Sequence, residues 1–98
     1  MSDPRELVPV TLAVTPADLA AGVPGACREC AAALALRRLL RPDVSLAVFA
    51  DRFHVNGRPY TCPPALREFV GLFDQGYACS PLTVEVRVER GAVRTEGS

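Results

Sequence analysis

Apolar and polar positions alternate with period two near both ends of the chain. Val8, Val10, Leu12 and Val14 are interleaved with Pro9, Thr11 and Ala13, and Leu82, Val84, Val86 and Val88 with Thr83, Glu85, Arg87 and Glu89. Successive side chains of a strand point to opposite faces, so each run predicts a strand with one face buried and one wet. Pro9 brings no N–H to a ladder, which puts the first strand at an edge or starts it near there. A helical period appears at Leu66, Phe69, Val70 and Phe73, spaced i, i+3, i+4 and i+7. Pro63-Pro64 opens that helix, and Gly76 suits the position just past its end.

The remaining segments follow from shorter signals. Thr15-Pro16 reads as N-cap and first helical residue of a two-turn helix with Asp18 in its first turn and Gly22 as its stop. After the loop Val23-Pro24-Gly25-Ala26, residues 27–41 predict the central helix. Its run Ala31-Ala32-Ala33-Leu34-Ala35-Leu36 is apolar on every face, as in a helix packed deep against a sheet. Glu29 in its first turn and Arg37, Arg38 and Arg41 in its last complement the helix dipole, and Pro42 ends it. Val44, Leu46 and Val48 begin a second strand, with Phe49 turned to the other face. Asn56-Gly57 then marks a type I′ hairpin that sets Phe53 against Tyr60 and His54 against Pro59.

The predicted order is β-α-α-β-β-β-α-β, which is α+β. It implies a small mixed, mainly antiparallel sheet of three to five strands with two longer helices packed on one face. The 98 residues make a single domain, with an ordered core over about 7–90 and a polar tail over 91–98. At this size a chain buries roughly 60–70% of its unfolded surface and can fold without staples.

Charge narrows the function classes. Eleven basic and eleven acidic side chains give a net charge of zero, and phosphate neutralisation requires a basic excess, which argues against a nucleic-acid partner. Every cation is Arg and none is Lys, a composition of GC-rich coding sequence. The polar, mixed-charge start lacks the basic and small-residue signals of a secretory leader, and no run approaches the ~20 apolar residues of a membrane span. A cytoplasmic location with reduced thiols and no membrane partner is expected.

Cys27-Arg28-Glu29-Cys30 is the one motif with chemical content. In a four-thiolate zinc site it would be completed by Cys62 and Cys79. An intact helix between those two spans roughly 20 Å, whereas the four residues after it reach back at most ~13–14 Å. Neither a shared metal nor a disulfide between Cys62 and Cys79 fits that geometry; a three-cysteine site with His54 is left. A thiol-redox reading rests on Cys27 at a helix N-terminus with Arg28 adding positive charge. Ser80-Pro81 before a strand is similar to the proline that faces the cysteines in thioredoxin-like folds, but no strand directly precedes Cys27. In the third and preferred reading the cysteines pack as small hydrophobes, Cys30 facing the sheet and Cys27 closing the loop over the helix end.

Other candidates reduce to structural roles. His54, the lone histidine, reads as an exposed strand residue. The glycine loop before Cys27 could cradle an anion on free N–H groups with Arg28 as a partner contact, yet it matches no phosphate-binding fingerprint and reads as a connection. Arg37, Arg38 and Arg41 read as a solvated helix end in preference to a site for an acidic partner. Asp74 belongs to a C-terminal turn. No Ser-His-Asp, paired-carboxylate or HExxH set is present.

The order of motifs adds one comparison. A glycine loop, Cys-x-x-Cys, Ala32-Ala33-Leu34-Ala35-Leu36, Asn56-Gly57-x-x-Tyr60, Pro64, Phe69, Phe73-Asp74-x-Gly76 and Pro81 follow one another over roughly residues 15–90. The chain resembles in this order small uncharacterised proteins encoded by actinobacterial phages and their hosts. The resemblance implies a small accessory protein, located in the bacterial host cell, and assigns no functional residue. The expected function is a non-catalytic interaction or binding module with an unidentified macromolecular partner, a protein or a second copy joined through an edge strand. No cofactor is expected. The alternative is a thiol-redox or thiolate metal-binding protein using Cys27 and Cys30.

Overall fold

The computed structural model describes Asp3 and residues 5–94. Its elements follow the predicted order: β1 (Leu7–Val14), α1 (Pro16–Ala21), α2 (Ala31–Leu39), β2 (Leu46–Val48), β3 (Arg52–Val55), β4 (Arg58–Thr61), α3 (Pro64–Asp74) and β5 (Leu82–Glu89). A 3-10 turn over Arg90–Ala92 follows. The fold is α+β with every strand pairing antiparallel.

The strands fall into two sheets where one was expected. β1 and β5 form a two-stranded ribbon, and β2, β3 and β4 a separate meander. In the ribbon Leu12, Val14, Val86 and Val88 are buried while Pro9, Thr11, Glu85 and Arg87 are exposed, so only one face is dry. α2 packs against β1 and α3 against β5, which covers that face; α2 also meets β2. Phe53 and Val55 of the meander are fully buried in the same core as Leu36, Leu40 and Val88.

Local chemistry sets most boundaries. Thr15 and Asp18 form a capping box, each side chain accepting from the other's backbone N–H. Asn56 and Gly57 both have positive φ, 52° and 80°, as a type I′ turn demands. The turn fixes the register that stacks Phe53 on Tyr60 with ring centroids 5.5 Å apart. α3 ends in a Schellman motif: Gly76, at φ 86°, donates to the Phe73 carbonyl and Tyr77 to that of Leu72.

The central helix is shorter than its periodicity predicts. It begins at Ala31 with Cys30 as N-cap, so Cys27, Arg28 and Glu29 lie in the preceding turns and outside the first helical turn. The Cys27 carbonyl accepts the Val48 N–H at 2.6 Å, which draws it out of any helical ladder. At the other end Leu40 turns extended to bridge Val93, stopping the helix before Arg41 and Pro42. That bridge and the buried Ala92 carry the packed chain beyond Arg90, where a polar tail was expected from residue 91. Residues 95–98 of that tail lie outside the described residues.

Candidate functional site

Burial divides the four free cysteines. Cys30 and Cys62 are 2% and 1% exposed, and Cys27 and Cys79 are half-buried. Burial pushes the Cys30 thiol up, against the pull of the helix N-terminal N–H groups and with a further upward push from Asp74. The residue at the helix N-terminus is thus Cys30, not Cys27, and desolvation outweighs the dipole that would activate it. Burial likewise raises Cys62 to about 11, with Asp51 adding to the shift and Arg67 opposing it. Cys62 and Cys79 stand at opposite ends of an intact α3. No group of three or more His, Cys, Asp or Glu side chains able to hold a metal is gathered among the described residues.

The glycine loop is occupied by the protein's own groups. Gly25, at φ 79°, donates its N–H to Asp74 Oδ1 at 3.1 Å, so the carboxylate at the end of α3 takes the place of an external anion. The Val23 N–H bonds the Glu29 carbonyl, and the Ala26 N–H that of Val23. Arg28 is exposed, and no side-chain hydrogen bond or ion pair holds it among the described residues.

The basic cluster is a half-exposed helix end whose guanidinium groups are held by the protein's own oxygens. Arg38 makes a two-pronged pair with buried Asp18, at 2.5 and 2.8 Å, and reaches the Ala13 carbonyl. The Arg38 guanidinium holds Asp18 at about 2, below its ordinary 3.8, although burial pushes the other way. Arg37 donates to the carbonyls of Val44 and Arg41, and Arg41 pairs with Asp43. His54 is half-buried where an exposed residue was expected. Its ring meets Phe49 edge-on at 5.3 Å, and its Nε2 is buried without a hydrogen-bond partner.

The strand edges hold the surface left open, and the bonds at their ends fix their parity. Arg90 donates its N–H to the Glu6 carbonyl directly opposite it in the β1–β5 register. Opposed antiparallel residues alternate between bonded and non-bonded pairs. Val8–Val88, Val10–Val86 and Leu12–Val84 are therefore bonded pairs, and the main-chain groups of Thr83, Glu85 and Arg87 point away from β1. Pro9 falls on a non-bonded pair, where its missing N–H costs the ladder nothing. Pro59 of β4 occupies the equivalent outward position, because the Asn56-Gly57 turn makes Val55–Arg58 a bonded pair.

Among the described strands, three of the four edges carry a proline or give a main-chain group to a contact within the chain. β1 carries Pro9, and its Ala13 carbonyl is taken by Arg38. β2 gives its Val48 N–H to Cys27. β4 carries Pro59. On β5, no hydrogen bond within the described residues uses the outward groups of Glu85 or Arg87. A groove of about 510 Å³ is lined by Glu85, Val86 and Arg87 of that stretch together with Tyr60, Pro63, Pro64 and Arg67. At one end of β5, Glu89 pairs with Arg58 at 2.5 Å. It also stands beside the Tyr60 hydroxyl, whose pKa is raised first by burial and then by that carboxylate. The sequence points to an edge strand open to pairing without saying which; Pro9 and the Arg38 contact with Ala13 set β1 apart from β5. Comparison of the chain with protein families, with curated proteins and with solved structures gives no match.

Proposed function

We propose that the chain is a small non-catalytic interaction module, a phage-type accessory protein that acts in the cytoplasm on a protein partner. The observation that carries the reading is the free edge of β5 beside an open groove, in a molecule whose other three edges are blunted. Exposed strand edges are templates for further pairing, and proteins cover or break those they do not use. A second copy joined through an edge strand belongs to the same class of partner. Glu85→Pro and Arg87→Pro test the reading, since both remove outward N–H groups at positions equivalent to those of Pro9 and Pro59. Affinity capture from a bacterial host lysate should recover a partner on the unmodified chain that both variants lose. Identical recoveries on all three would overturn it.

The alternative, redox or thiolate-metal chemistry at Cys27 and Cys30, has less support. A two-thiol exchange needs a reachable pair with at least one stabilised thiolate, and Cys30 is 2% exposed with its thiol pushed up. A Cys27 thiolate forming well below the ordinary thiol range in a pH titration would favour that alternative.

A further inference from the structure

We infer that the groove along β5 takes a short, extended, acidic peptide segment, which pairs with the free main-chain groups of Glu85 and Arg87. The inference rests on the interaction reading above and specifies the chemistry of its partner. Glu85 and Arg87 line the groove, and their outward N–H and C=O groups have no partner among the described residues. Buried unmet main-chain groups are costly, so whatever fills the groove must supply alternating donors and acceptors, as an extended backbone does. The stretch from Glu85 to Arg87 is about 7 Å of strand, so pairing involves few residues.

Charge selects among extended segments. Arg67 and Arg87 both line the groove, and neither has an acidic partner within ion-pair distance among the described residues. Glu85 is the one acid in the lining, and nearby Glu89 is already paired with Arg58. An entering carboxylate would meet two guanidinium groups, each able to grip it with two N–H donors. Leu7, Pro63 and Pro64 offer apolar contact beside them.

A lone segment fits this site better than a second copy. A segment paired to β5 leaves its other edge toward Thr61, which also lines the groove. A second copy pairing through β5 would bring its own β1 toward the wall made by Tyr60, Pro63 and Pro64.

The test is selection of a random octapeptide display library on the full chain, followed by titration of the recovered peptides. Enriched peptides should be acidic, and their affinity should fall about tenfold or more on Arg67→Glu plus Arg87→Glu, both exposed positions. Proton–nitrogen correlation spectra should show the Glu85, Arg87 and Thr61 amides shifting on binding. Unchanged circular dichroism of the variant would keep loss of binding separate from loss of fold. Peptides that bind without regard to these arginines, shifting residues elsewhere, overturn the inference and leave the interaction reading standing. No enrichment overturns the inference; the capture experiment then decides the broader reading separately. A concentration-dependent dimer in sedimentation, abolished by Arg87→Glu, would overturn the peptide in favour of a second copy.

Discussion

Single residues decide how much chemistry this chain keeps available. Asp18 is the one buried charged residue among the described residues, and it serves twice, as the carboxylate of a capping box and as the partner of Arg38. Asp18→Ala would leave Arg38 and the Thr15 N–H without their acceptor and cost about 2–3 kcal/mol in urea denaturation. Its folded pKa lies below the ordinary value, so its contribution is complete above about pH 4 and is lost as pH falls through 2. With Arg38 half-exposed, that contribution is on the order of 1–2 kcal/mol. The stability difference between the parent chain and Asp18→Asn should shrink over the same interval; a difference constant from pH 5 to 2 would contradict it. The thiols provide a second measure. With Cys27 and Cys79 half-buried and Cys30 and Cys62 in the core, an aromatic disulfide reagent should titrate the first two in the native chain and the others only after unfolding.

At the scale of elements, local signals and tertiary contacts share control. Thr15-Pro16, Asn56-Gly57 and Gly76 were legible because caps and turns are chemistry between near neighbours. Alternation located β1 and β5 and the faces they bury. The start of α2 was not legible, because the feature that excludes Cys27 from the helix is a hydrogen bond to Val48, distant in the sequence. The Asp18–Arg38 pair and the Gly25–Asp74 contact were hidden for the same reason: periodicity reports a face and is silent about what meets it. Gly22 shows both controls in one residue. It stops α1, and a Cβ there would lie 2.6 Å from the Ala31 nitrogen and 2.9 Å from the Asp18 carbonyl oxygen. Gly22→Ala must therefore separate α1 from the start of α2, lowering stability by about 2 kcal/mol or more. Gly25→Ala meets no neighbour and pays only for its positive φ, about 1 kcal/mol. Thermal melts of the two variants should rank in that order.

Across the whole molecule, the division into two sheets creates the candidate site. A continuous sheet would have bonded β5 on both sides; here β4 stands across a groove from it, and Glu89 of β5 meets both Arg58 and Tyr60 of β4. Sequence patterns predicted the strands and could not predict that division, since alternation says which face is buried and not which strand lies alongside. The central claim is that β5 keeps one edge free in the isolated protein. Amide hydrogen exchange along residues 83–88 tests it most directly. Val84, Val86 and Val88 should exchange slowly through their bonds to β1, and Thr83, Glu85 and Arg87 quickly, in strict alternation. Uniform slow exchange through the whole stretch would mean that the edge is already covered, and would contradict the account.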